Sequence, residues 1–314
     1  ARLGVAEAYL QTMIFKFVVL SSLLCWLPNI GAVSLLADEQ QVPPIQLVRA
    51  TIANEVATSN VNGLKHIFRD RKSTPQGSQT RIYVETRDGM AGMTIAYNDK
   101  PLNPKQLEDE KGRLAGLVND PAQLKRKQRE QKEDSDRSLR IMRAMPDAFL
   151  FEYDGTVPGT AAIGREGVDL IRLKFRPNPS YRPPTHVEQV LSGMSGLILI
   201  DPVHRRLAEI DGNLFQTVGF GWGILGRLDK GGHFLVTQAD VGDNSWELSR
   251  MSLAFTGKIL LIKNIFIRSD EVFSNFRRVP NDTTFAQGVK MLETESARFA
   301  QGGPETADAQ KLGH

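Results

Sequence analysis

The pattern of apolar and polar positions changes period along the chain. Between about Pro44 and Ala57, Ile45, Val48, Ile52 and Val56 fall on one helical face, so the segment is read as an amphipathic helix with a stripe to bury. Leu64, His66 and Phe68 then alternate with Lys65, Ile67 and Arg69. The run Thr80 to Thr86 leads through Asp88-Gly89 into Met93, Ile95 and Tyr97. An Asp-Gly pair between alternating runs is a strong hairpin signal, because the turn it forms needs positive φ. From Ala148 to Phe276 the period is close to two, punctuated by Gly, Pro and Asx in the manner of an antiparallel sandwich or barrel. A last helix is expected from about Thr284 to Phe299, carrying Phe285, Val289 and Leu292.

Four segments depart from simple alternation. In the run Ser245 to Thr256 the apolar side is even at Trp246 and Leu248 but odd at Met251, Leu253 and Phe255, which predicts a β-bulge near Ser249-Arg250. The run Ile259 to Ile267, read as one strand, is apolar on both faces, and so is Leu197 to Ile200. A sheet of that kind must be covered on both sides. Asn103-Pro104 and Asp120-Pro121 each read as an N-cap followed by proline in the first helical turn, giving two helices in a charged excursion from 103 to 145. Within it, Lys125 to Asp136 holds no apolar residue and should project into solvent. The alternative is an anionic-surface patch built on Lys125, Arg126, Lys127 and Arg129, opposed by Glu130, Glu133, Asp134 and Asp136.

The N-terminus has the layout of a secretory leader: Lys16, an apolar run from Phe17 to Leu27, then small residues. The run is shorter than the roughly 20 apolar residues a spanning helix needs. Residues 1–12, ahead of Met13, are expected to lie upstream of the start. Cleavage is expected after Ser34 or Ala37, with Ala37 preferred because polar Asp38 to Gln41 follow. Cys25 is the single cysteine, and Leu24 before it does not suit lipidation. A mature chain from 38 would hold no thiol, so disulfides, thiolate metal sites and cysteine nucleophiles drop out. The organisation expected is a leader over 1–37, one domain over 38–293 with the helical insertion 103–145, and a disordered tail over 294–314. A formal charge of +3 offers no broad nucleic-acid footprint.

No chemical motif survives its context. Gly221-Trp222-Gly223-Ile224-Leu225-Gly226 spells a dinucleotide fingerprint, but that motif works by opening a helix toward a pyrophosphate, and here another strand follows. Trp222, Ile224 and Leu225 would plug the core or form a flap instead. His66, His186, His204, His233 and His314 are isolated, without metal-ligand spacing. Ser192 to Gly196 lacks a nucleophile elbow. Asp201-Pro202 and Asp211-Gly212-Asn213 read as turns. No cofactor, metal or catalytic residue is expected.

Gly196-Leu197-Ile198-Leu199-Ile200-Asp201-Pro202 followed by Arg206-Leu207-Ala208-Glu209-Ile210-Asp211-Gly212 resembles the central hairpin of periplasmic LolA/LolB-like proteins, the outer-membrane lipoprotein-sorting superfamily. The whole mature chain is similar to a set of exported bacterial proteins carrying Val118-Asn119-Asp120-Pro121, Pro146-Asp147-Ala148-Phe149 and Lys174-Phe175-Arg176-Pro177-Asn178-Pro179. The LolA likeness covers residues 148 to 280. It implies an unclosed, strongly curved antiparallel sheet wrapped around helices, with an apolar cavity for acyl chains. The 103–145 excursion has no counterpart in that carrier, and no family site residue is carried over. The expectation is therefore an α+β half-barrel that binds the acyl chain of a lipid or lipoprotein in the periplasm. The competing reading is an envelope interaction or sensor module with a filled core. Peripheral membrane contact is compatible with both. Groove residues are expected among Leu199, Phe220, Trp222, Phe234, Leu253, Phe255, Leu261 and Ile265.

Overall fold

The computed structural model describes residues 42–59, 63–220, 226–259 and 263–301; the expected leader lies outside them. The predicted helices form where their caps stand. Helix α1 spans Pro44–Ser59 and buries Val48, Thr51, Ile52 and Glu55. Helix α2, Pro104–Asn119, starts with a capping box: the Asn103 side chain accepts the Gln106 N–H, and the Gln106 side chain accepts the Asn103 N–H. Helix α3, Pro121–Ala148, follows at once, with the Asp120 carboxylate accepting from the N–H groups of Ala122 and Gln123. Helix α4, Phe285–Ala300, has its own box in Thr284 and Gln287. It extends into the expected disordered tail, because Ser296 is buried and Phe299 packs on the core beneath it.

The strands are β1 Lys65–Thr74, β2 Gly77–Thr86, β3 Gly89–Tyr97, β4 Lys100–Pro101, β5 Phe149–Pro158, β6 Asp169–Pro177, β7 Met194–Asp201, β8 Arg206–Leu214, β9 Val218–Phe220, β10 Gly226–Leu228, β11 His233–Asp240, β12 Trp246–Ile259 and β13 Lys263–Val279. They make one antiparallel sheet of 13 strands in the order β4-β3-β2-β1-β13-β12-β11-β8-β7-β6-β5, and the hairpin β9–β10 branches from β12. The path is open at β4 and β5, which is the unclosed α+β sheet the sequence predicts.

Two assignments need correction. Ile259 to Ile267 is not one strand: Ile259 pairs with Lys263, so the chain reverses between β12 and β13. Its two-faced apolar pattern belongs to two strand ends and the connection between them. Beyond the reversal, Lys263–Val279 forms the single long strand β13. Asp211-Gly212-Asn213 is not a turn but the middle of β8, paired with both β7 and β11. Gly212 serves close approach there, since a Cβ would collide with the Phe234 ring. The bulge does form. Thr237 pairs with Arg250 and Gln238 with Leu248, leaving Ser249 as the extra residue, whose hydroxyl donates to the Ala162 carbonyl at 2.6 Å.

Both faces of the sheet are covered. The main core joins α1 and the C-terminal turns of α3 (Met142, Met145) to Leu173, Ile198, Ile200, Met251, Leu253 and Phe255. On β1–β3, Ile67, Ile82, Val84 and Met93 pack against Leu114 and Leu117 of α2 and Val289 and Leu292 of α4. These cores lie on opposite faces. Arg69 pairs with Ser274 and Ile67 with Arg277, so a bulge at Asn275, which has φ 59°, puts Ile267 and Phe273 on the face away from Ile67. Leu197 to Ile200 behaves as predicted: Ile198 and Ile200 enter the main core, while Leu199 packs on the other side with Leu170, Ala208 and Trp246.

Helix α3 therefore passes from one layer to the other, with Leu124 against the α2–α4 core and Met145 in the main core. The charged segment 125–136 does not project freely. Gln128 Nε2 donates to the Asp88 carbonyl at 2.5 Å, and Gln131 Oε1 accepts the Met90 N–H at 3.3 Å. Polar contacts dock it on the β2–β3 turn where apolar burial is impossible.

Candidate functional site

The expected groove residues divide. Phe234, Leu253, Phe255 and Ile265 share one face, since Phe234 pairs with Leu253 and Phe255 with Ile267, and all four belong to the main core. Leu253 and Phe255 are buried to 1% and 3% exposure, so they fill that core. Leu199 lies on the opposite face. Phe220 ends β9, opposite Gly226. Trp222 and Leu261 lie outside the described residues.

An open apolar cleft lies elsewhere, under the N-terminal half of α1. It encloses about 580 Å³ and is lined by Val42, Gln46, Leu47 and Ala50 from the helix and its approach, Tyr153, Gly155 and Thr156 from β5, Ile171 from β6, and Pro202 and Arg205 from the β7–β8 turn. The fold builds it from three local features. Gly155 has φ 94°, and a register shift between Tyr153 and Thr156 interrupts the regular pairing of β5 at the cleft. Tyr153 spans the opening, donating its hydroxyl to the Val42 carbonyl at 2.6 Å, and burial pushes its phenol pKa up. Arg205 turns back at φ 50° and brings an exposed cation to the rim.

The far end of α1 is fixed. Glu55 Oε1 accepts from Arg206 Nε and from the Leu207 N–H, both at 2.8 Å, and Glu55 Oε2 accepts from Arg206 Nη2 at 3.1 Å. Both side chains are buried, and the guanidinium lies 5.5 Å from the Trp246 ring. Asn54 adds bonds to the carbonyls of His204 and Arg205. The arrangement suits an amphiphile: an apolar floor, a cation at the mouth and a helix roof pinned at one end.

Periodicity does not single these residues out, because Leu47 and Ala50 lie beside the Ile45-Val48-Ile52-Val56 stripe. Tyr153 and Ile171 sit on strands a hundred residues away. The one local signal is Gly155 interrupting the β5 alternation. A second groove, about 800 Å³, lies on the outer face between the β1–β2 turn and residues 230–233. Its lining is mixed and includes Arg250, Ser252, Thr256, Phe266 and Arg268; the Leu253 and Phe255 side chains alternate with these along the strand and belong to the main core. Among the described residues no group of three His, Cys, Asp or Glu is placed to hold a metal ion, and no helix is long and apolar enough to cross a membrane.

No protein-family model matches the chain, and no curated protein matches it. Among solved structures it is similar to a Vibrio parahaemolyticus domain described as outer membrane lipoprotein-sorting. The match is 12% identical and covers 79% of this chain and 97% of that domain, with a TM-score of 0.28. A likeness at that score carries no functional weight, which falls instead on the residues of the cleft.

Proposed function

We propose that this protein is a lipid- or lipoprotein-binding carrier or chaperone of the bacterial envelope, exported by its leader, that holds an acyl chain in the cleft under α1 and is not an enzyme. The observation that supports the reading is the cleft itself: Val42, Leu47, Ala50 and Ile171 around about 580 Å³, with Arg205 at the rim. That volume falls within the range of small-ligand pockets. Each methylene moved from water into such a site contributes about 0.8 kcal/mol. One chain then gives capture that is reversible, and Arg205 would meet a carboxylate or phosphate.

The test is titration with a fluorescent fatty acid. The wild type should bind saturably, and Ala50→Trp, which fills the cleft from the helix, should weaken binding at least tenfold while leaving the melting temperature nearly unchanged. Absence of saturable binding by the wild type would retire the reading.

The packing of Leu253 and Phe255 favours a second reading, an envelope interaction or sensor module with a filled core. It would take over if the Ala50→Trp variant and the wild type both fail to bind.

A further inference from the structure

Strands β10, β12 and β13 run past the rest of the sheet at one end. Pairing of β1 with β13 stops at Asp270, and pairing of β11 with β12 stops at Ala254. Beyond these points Arg227 pairs with Lys258, and Lys258 with Asn264, so these three side chains share one face. Phe266 and Arg268 follow Asn264 on that face. The opposite face of the same projection carries Leu228, Ile265 and Ile267 into the main core, so the projection is held from inside and presents its outer face to solvent.

That outer face combines two features seldom left exposed together. Phe266 is 57% exposed, standing between Arg268 on its own strand and Lys258 diagonally across. Arg227, Lys230 and Arg268 are exposed around it, and Lys263 is exposed at the tip of the projection. The acidic groups nearby are Asp229, which pairs with Arg227 at 3.1 Å, and Asp270, which pairs with Arg250 at 2.8 Å. Among the described residues Lys230, Lys258, Lys263 and Arg268 have no acidic partner. The connecting segments 221–225 and 260–262 contain no charged residue in sequence, so they leave this positive balance as it is.

We propose that this projecting end docks on an anionic phospholipid surface. An exposed aromatic ring inside a collar of unpaired cations matches an interface whose headgroups are negative and whose next layer is apolar. The cations supply long-range attraction that salt screens, and the ring supplies an apolar contact that salt does not weaken. The proposal stands independently of acyl-chain binding, because the α1 cleft lies by the β7–β8 turn, at the other end of the strands.

The test is vesicle flotation of the whole protein, using phosphatidylcholine alone and phosphatidylcholine with a quarter phosphatidylglycerol. The wild type should float with the anionic vesicles and not with the neutral ones, and high salt should reduce its binding. Lys258→Glu with Arg268→Glu should lower binding at least tenfold, and Phe266→Ser severalfold, with melting temperatures near wild type because Phe266 and Arg268 are exposed and Lys258 is half-exposed. Ala50→Trp should bind vesicles like wild type even if it loses fatty acid, which separates the two sites. Equal binding to both vesicle types, no binding to either, or variants indistinguishable from wild type would overturn the proposal. Binding to polyglutamate without binding to vesicles would assign this end to an acidic protein and overturn it equally.

Discussion

His66 Nδ1 lies 3.2 Å from Glu247 Oε1, with both side chains buried, across a gap where two strands of the sheet have parted. Pairing of β12 with β13 stops at Arg250, so Glu247 reaches β1 without an intervening ladder. Glu85 of β2 approaches the same nitrogen at 3.7 Å and accepts the His66 backbone N–H at 2.9 Å. The Ser245 hydroxyl donates to Glu247 at 3.2 Å, and Phe276 closes the site edge-on to the imidazole. A buried charge cluster does here what backbone pairing does elsewhere in the sheet.

This clasp predicts a pH dependence. Burial alone would lower the His66 pKa, but hydrogen bonds and charge from Glu247 and Glu85 outweigh it and raise it to about 9. A histidine raised above its unfolded value of 6.5 contributes stability that is fully present below pH 6.5 and is lost as pH rises through 9. Burial raises Glu247 to about 7, so its ionisation costs stability progressively above its unfolded value near 4.5 and adds to the same fall. Denaturant unfolding should show stability decreasing by about 3 kcal/mol between pH 6 and 10. His66→Gln should be less stable at pH 6 and flatter above it. A flat wild-type profile would show that the imidazole stays neutral.

Asp70 makes a separate prediction on the same face. It is 3% exposed, its Oδ1 lacks a hydrogen-bond partner, and burial together with the charge of Glu271 raises its pKa to about 7, against the opposing charges of Lys72 and Arg81. A carboxyl raised from 3.8 destabilises the fold increasingly from about pH 4 to 7. Asp70→Asn should therefore raise stability by about 1–3 kcal/mol at pH 8 and leave it nearly unchanged at pH 4. A loss at pH 8 would mean that the carboxylate is needed by Lys72 and Arg81.

Much of the fold is legible where local chemistry decides. The Asn103, Asp120 and Thr284 caps set three helix starts, and the phase change from Trp246-Leu248 to Met251-Leu253 locates the Ser249 bulge. The β12–β13 reversal is not legible, because Leu260-Leu261-Ile262 contains no Gly, Pro or Asx residue to mark a turn and continues the apolar alternation. Gly212 misleads in the other direction: its glycine chemistry serves the Phe234 ring inside a strand. The candidate cleft is invisible for a different reason. Leu47, Tyr153, Ile171 and Arg205 meet only through long-range pairing, and each has an ordinary local explanation as packing or turn.

The hold on α1 gives the third prediction. Glu55 is the shared acceptor for the Arg206 guanidinium and the Leu207 N–H. Removing one member of a buried ion pair leaves its partner uncompensated, at a cost of about 3–5 kcal/mol. Glu55→Leu and Arg206→Met should each destabilise the protein by that order in urea unfolding. The double variant should recover part of the loss, since an apolar pair leaves no orphan charge. Additive losses would mean that the pair acts mainly through packing on Trp246.

The last prediction concerns the β3 edge, where helix side chains occupy successive hydrogen-bonding positions of the strand. Gln131 of α3 accepts the Met90 N–H at 3.3 Å, Arg113 of α2 donates to the Gly92 carbonyl at 2.7 Å, and Glu110 accepts the Thr94 N–H at 2.7 Å. An uncapped edge pairs with other chains, so these polar side chains of the charged excursion protect the sheet in addition to the packing of its apolar residues. Burial pushes the Glu110 carboxyl up, but the hydrogen bonds from Arg113 and Thr94 and the Arg113 charge bring it below the usual range. A depressed carboxyl pKa means this cap is in place above the unfolded value and is lost as pH falls through the folded one. Glu110→Ala with Arg113→Ala and Gln131→Ala should keep the fold, because Leu114, Leu117 and Leu124 still dock the helices. The triple variant should nevertheless self-associate with rising concentration in sedimentation velocity, while the wild type does so less and only at acid pH. A triple variant that stays monomeric at every concentration and pH would show that Lys100-Pro101 and the twist of β3 close the edge without the helices.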